Sequence, residues 1–159
     1  GEKIPNIVLL DSDGVEVNTS KIFNKKTVLV VYRGGWCPYC NSQLADMQEI
    51  ENQIIELGYQ VVAVSPDAPS FLKQTEDKKE LKYQLYSDSE GKFAQALGIA
   101  FKREKGKLDK YSEGKNPGFL PVPTVYVINE NKEIEFLYIN PNYSKRLEGN
   151  VLLAVLKSL

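Results

Sequence analysis

Apolar residues along this chain fall into two rhythms. Thr27–Tyr32 (TVLVVY) and Gln60–Ser65 (QVVAVS) are near-continuous β-branched runs, the pattern of strands buried on both faces of a sheet. Between them Leu44, Met47, Ile50, Ile54 and Leu57 recur at three- and four-residue steps, which predicts an amphipathic helix ended by Gly58. Ile4–Leu10, the turn Asp11–Gly14 and Val15–Val17 read as an N-terminal β-hairpin. Further on, the pattern predicts a helix near Pro69–Lys79, a short strand at Gln84–Tyr86 and a helix at Ser89–Leu97 stopped by Gly98. Residues 102–121 are polar, rich in Gly and Pro, and read as a long loop. Pro123–Asn129 and Glu133–Ile139 flank the turn Glu130–Lys132 as an antiparallel hairpin, and a last helix is expected over Ser144–Leu159. This order predicts one α/β sandwich domain over residues 1–159 with a mixed central sheet.

Composition narrows the chemistry. With 20 basic and 21 acidic side chains the formal charge is −1, so no broad positive field draws nucleic acid. The run Lys102–Lys110 includes Glu104 and Asp109 and reads as a solvated loop rather than a binding patch. No stretch reaches the ~18 apolar residues of a membrane helix, and no secretory signal opens the sequence. The compartment stays open at this point: the cytoplasm, or the periplasm if a signal segment has been trimmed. There is no histidine, which rules out a Cys–His dyad, a Ser–His–Asp triad and histidine metal ligation. No cofactor is called for.

The two cysteines, Cys37 and Cys40, lie in RGGWCPYC at the junction of the first buried run and the long helix. Cys37 falls at the N-cap position, Pro38 suits the first helical position, and Cys40 ends the first turn. A helix N-terminus is worth roughly 0.3–2 kcal/mol to an anion and so favours thiolate over thiol. Zinc would need two further ligands, and only carboxylates remain to supply them. An inert buried pair does not account for the bracketing strand, Gly-Gly, Trp and Pro. A dithiol redox site is the reading, with no metal.

The strand–WCPYC–helix arrangement, with Val122-Pro123-Thr124 leading a late strand, resembles the thioredoxin fold. That resemblance implies a cis peptide before Pro123, placing Val122, Pro123 and Thr124 beside the cysteines. Over residues 2–140 the segments GEKIPNIVLLDSDGVEV, TVLVVYRGGWCPYC and GYQVVAVSPD resemble the AhpC/TSA (redoxin) peroxiredoxins, in the branch bearing GGWCPYC. The implied fold is a thioredoxin-like α/β/α sandwich of peroxiredoxin type. The resemblance places Cys40 at the peroxidatic position and Cys37 where a Thr or Ser normally stands, whereas the thioredoxin likeness makes Cys37 the attacking thiol. Ordinary peroxiredoxins carry an arginine near the start of the late strand. Here Val122-Pro123-Thr124 occupies that region, and Arg33 is the candidate guanidinium. Trp36 is expected to line the site, and Tyr39 to face the thiolate or a docking partner.

Two activities follow from the resemblance. One is an antioxidant thiol peroxidase that reduces hydroperoxides through a Cys37–Cys40 disulfide, with an external dithiol such as a thioredoxin-like protein as reductant. The other is a thiol–disulfide oxidoreductase acting on protein disulfides, with backbone beside Pro123 pairing to an extended substrate. A non-catalytic redox-sensing domain is the third reading. The match along the whole chain favours the peroxidase.

Overall fold

The computed structural model describes residues 1–103 and 106–159. Strand β3 (Thr27–Val31) is wholly buried and organises the rest. It pairs in parallel with β4 (Gln60–Ser65) and antiparallel with β8 (Thr124–Ile128), with Val31 opposite both Val64 and Thr124. On one side the sheet continues through β5 (Gln84–Ser87), β1 (Val8–Leu10) and β2 (Glu16–Asn18). On the other it ends in β9 (Ile134–Ile139), giving the order β2-β1-β5-β4-β3-β8-β9. Parallel and antiparallel neighbours coexist, and β1 and β2 form the hairpin, as the sequence predicts.

The alternation of β3 feeds two cores. Val28, Val30 and Tyr32 face a cluster with Cys37, Cys40, Leu44, Met47 and Ile54, residues of helix α2 (Pro38–Glu56) and its N-cap. Leu29 and Val31 face the opposite cluster, where Phe23 stacks on Phe93 at 6.3 Å between centroids. Helix α3 (Pro69–Lys79) contributes Leu72 to the first cluster, and α6 (Gly149–Ser158) contributes Leu152 and Leu156. Together these make the expected α/β/α sandwich. No described helix is long and apolar enough to cross a membrane.

Several elements depart from expectation. A short helix α1 (Thr19–Ile22) follows β2, started by the Asn18 side chain accepting from the Ser20 N–H. Helix α4 spans only Lys92–Ala96 because the Asp88 carboxylate accepts the N–H groups of Phe93 and Ala94. The stretch read as one long loop contains α5 (Gly106–Tyr111) and β7 (Phe119–Pro121), and β7 pairs with β6 (Ala100–Lys102). Polar composition hid these elements, since each is anchored by only one or two buried residues such as Leu108 and Leu120. Of the Lys102–Lys110 run, Glu104 and Lys105 lie outside the described residues. Helix α6 begins at Gly149 rather than Ser144. Asn142 accepts from the Ser144 and Lys145 N–H groups through its side chain and its carbonyl, which holds the chain in a turn.

Leu44 fixes the first turns of α2 against the sheet. It is fully buried, and its carbonyl accepts the Tyr83 hydroxyl at 2.6 Å. Leu44→Ala is expected to cost about 2–5 kcal/mol through lost burial and a residual cavity, read from urea unfolding.

Candidate active site

The site is built where β3 hands over to α2. After Tyr32 the chain runs through Arg33-Gly34-Gly35-Trp36 and enters the helix with Cys37 as N-cap. Three hydrogen bonds hold this turn. The Cys37 N–H donates to Gly34 O at 3.1 Å, Asn41 Nδ2 to Gly35 O at 2.8 Å, and the Gly35 N–H to Asp67 Oδ2 at 2.7 Å. Gly34 sits at φ +151°, where a Cβ would strike the Trp36 indole nitrogen and come within 2.8 Å of Asp67 Oδ1. Only glycine fits that position.

Both cysteines are free thiols, 1% (Cys37) and 0% (Cys40) exposed. The Cys40 N–H donates to Cys37 Sγ at 3.4 Å, the helix capping itself through sulfur. The Arg33 N–H donates to Cys40 Sγ at 3.4 Å, while its guanidinium Nη1 stands 3.9 Å from Cys37 Sγ. Arg146 Nη2 bridges the pair, 3.4 Å from Cys40 and 3.8 Å from Cys37, and its Nη1 is held 3.4 Å from Gln43 Oε1.

These donors divide the charge unequally. A hydrogen bond from the Cys40 thiol, the Cys40 N–H and the positive charges of Arg33 and Arg146 pull the Cys37 thiol well below its ordinary value, against the cost of its burial. Burial pushes the Cys40 thiol far up, and donating to an anionic Cys37 pushes it further. Both directions favour a negative charge on Cys37 with the proton kept on Cys40, an arrangement from which nucleophilic attack followed by resolution can proceed.

Arg33 is buried with its guanidinium between the Trp36 ring (4.9 Å) and the Tyr143 ring (4.3 Å). Trp36 is half-buried and packs on the α2-side core. Tyr39 is exposed and meets Tyr143 edge-on at 5.6 Å; among the described residues, no hydrogen bond joins its phenol to a sulfur. The expectation of a cis peptide before Pro123 fails, since the described residues contain no cis peptide bond. The trans form is held at Val122, whose N–H donates to Ile99 O at 2.8 Å and whose carbonyl accepts the Thr124 hydroxyl at 2.8 Å. Thr124 is a sheet residue opposite Val31. Pro123 and Val122 reach the site only by walling a cavity that Arg33 and Tyr143 also line. No cluster of three or more potential metal ligands exists among the described residues.

Sequence reasoning missed Arg146, which lies in a segment read as helix, and Asp67, which lies in an ordinary-looking SPDAP turn. One signal pointed to Arg146. The chain uses arginine at only three positions, Arg33, Arg103 and Arg146, within 20 basic residues.

Comparison with known proteins supplies a family. The AhpC/TSA family profile matches residues 1–137. A Haemophilus influenzae chain carrying the peroxiredoxin name bcp is 31% identical over 99 residues, 62% of this chain and 64% of that one. The chloroplastic peroxiredoxin Q of rice is 26% identical over all of this chain and 67% of its own length. The matched stretches thus span about two-thirds of these curated relatives. Among solved structures, reduced Prx3 of Vibrio vulnificus in complex with hydrogen peroxide superposes with a TM-score of 0.85. That match covers 98% of this chain and 97% of that chain at 19% identity, a likeness of fold.

Asp67 gives this site a pH signature. Its carboxyl is buried, with Oδ1 unpartnered among the described residues, and burial raises it to about 7 despite the Gly35 N–H. Unfolded, it would titrate near ~3.9. The folded form therefore holds this proton more tightly, so the stabilisation is complete below the unfolded value and drains away as pH climbs to about 7. Asp67→Asn retains an acceptor for Gly35 without the charge. It is expected to gain stability over wild type progressively from about pH 4 to pH 7 and to keep a constant advantage above, read from urea midpoints. A stability difference that does not change with pH would contradict this.

Proposed function

Because this chain belongs to the AhpC/TSA family, with curated relatives that carry the name peroxiredoxin, we propose that it is a thiol-dependent peroxidase cycling Cys37 and Cys40 between dithiol and disulfide. The observation that carries this reading is the convergence of two guanidinium groups on two sulfurs that solvent barely touches. Such a slot suits a small electrophile whose leaving oxygen gains charge as the O–O bond breaks. A protein disulfide is poorly served, because both sulfurs are enclosed and the Val122 backbone groups are already bonded.

Charge distribution favours Cys37 as the attacking sulfur, although the family position points to Cys40. The Cys37 thiolate takes the terminal oxygen of the hydroperoxide, forming a sulfenic acid and releasing alkoxide or hydroxide. The Cys40 thiol, hydrogen-bonded to Cys37, is the proton donor to that leaving group, and Arg146 steadies the thiolate that results. Cys40 then attacks the Cys37 sulfenic sulfur and expels hydroxide, which solvent protonates to water, leaving the Cys37–Cys40 disulfide. An external dithiol of the thioredoxin-like class restores both thiols by exchange.

Stopped-flow oxidation by hydrogen peroxide tests this beside an insulin-reduction assay. Wild type and Cys40→Ser are expected to react in the first step, with Cys40→Ser halting at sulfenic acid, while Cys37→Ser slows on the order of a hundredfold or more. Loss of the first step in Cys40→Ser alone would move the attack to Cys40. Slow peroxide reaction with rapid insulin reduction would overturn the peroxidase reading.

A further inference from the structure

We propose that the cavity beside the cysteine pair is a subsite for the carboxylate of an organic hydroperoxide, and that Arg103 recognises that carboxylate; the proposal deepens the peroxidase reading and rests on it. The cavity measures about 260 Å³. Val122, Pro123, Pro141 and Tyr143 give it apolar walls, and Arg33 lines it from within, where its guanidinium also reaches Cys37. Arg103 and Phe101 line it from the edge of the small β6–β7 sheet, and both are exposed. The two cations therefore sit at opposite depths of one apolar slot, the inner one beside sulfur and the outer one in water.

The charge of this slot is one-sided. No carboxylate lines it among the described residues. The ion pairs those residues form, Lys73–Asp13 and Lys92–Glu90, involve no arginine. Nor does the slot borrow from a general positive field, because the whole chain carries −1. Of the chain's three arginines, Arg33 and Arg146 reach the sulfurs, and Arg33 and Arg103 line the cavity. Guanidinium is the side chain that matches a carboxylate through two parallel N–H donors, which lysine cannot do.

A ligand that fits must meet each part in order. Its hydroperoxide end lies toward Arg33, the lining residue whose guanidinium reaches Cys37, its apolar body lies against the prolines and Tyr143, and its carboxylate pairs with Arg103. The volume is below the roughly 300–1,000 Å³ of pockets that enclose drug-sized ligands, so the body is a single ring or a short chain. Arg103 makes no contact with sulfur, so its contribution is to selectivity between hydroperoxides. The chemistry at Cys37 is the same for each: the terminal oxygen goes to sulfur and the organic alcohol leaves with a proton from Cys40.

Cumene hydroperoxide and its para-carboxylate derivative form a matched pair of probes. Wild type is expected to favour the acid in kcat/KM by about two- to fivefold, the scale of one charge-assisted contact at a solvent-exposed arginine. In Arg103→Gln that ratio falls toward one. A second measurement needs no turnover: calorimetric titration of the reduced protein with para-isopropylbenzoate, which lacks the peroxide, is expected to show binding that Arg103→Gln weakens by a similar factor. Normal turnover of neutral cumene hydroperoxide without preference for the acid, together with no benzoate binding, would overturn the subsite and leave the peroxidase reading standing. Benzoate binding that depends on Arg103 with no turnover of any peroxide would support the subsite and overturn the peroxidase reading instead.

Discussion

An anionic sulfur withdrawn from water is costly unless donors surround it, and this condition governs the architecture around Cys37. The sulfur is 1% exposed, so every stabilising group must come from the protein. The Cys40 thiol is the largest contributor, the helix supplies another through the Cys40 N–H, and the loop before it supplies the Arg33 guanidinium. The fourth comes from Arg146, delivered by the segment between β9 and α6. Cys40, equally enclosed, keeps its proton because the same site cannot hold two negative charges at such short range.

Those donors depend on backbone that is fixed well away from sulfur. Arg33 can present both its N–H and its guanidinium only because Gly34 takes a conformation closed to other residues and Gly35 is tethered by Asp67. Asp67 in turn lies just beyond the Ser65 end of β4, the parallel neighbour of β3. The sheet thus sets the loop, the loop sets the donors, and the donors set which thiol ionises. The Arg33 charge is further held between the Trp36 and Tyr143 rings, which orders it without a carboxylate that would compete with sulfur.

Local patterns in the sequence were enough to place β3, α2, the N-cap cysteine and the nature of the chemistry. TVLVVY and the Leu44–Leu57 periodicity are consequences of burial, and burial is what hydrophobic rhythm encodes. Arg146, marked only by the scarcity of arginine, was missed for a different reason. It lies 106 residues beyond Cys40, and a polar stretch ending in an apolar helix looks the same whether or not its loop folds over a distant site. Asp67 was hidden likewise, since only the folded chain brings it to Gly35. The trans Val122–Pro123 peptide departs from the thioredoxin likeness because Ile99, Val122 and Thr124 form a bonding pattern that the short segment VPT does not reveal.

The account stands on a single negative charge residing on Cys37 with Cys40 still protonated. Titrating the ultraviolet thiolate absorbance of the fully reduced protein measures this directly. One thiolate is predicted to be present already at neutral pH, depressed below the ordinary ~8.5 of cysteine, with the second appearing only in strong alkali. Two thiols titrating together near that ordinary value would contradict the account.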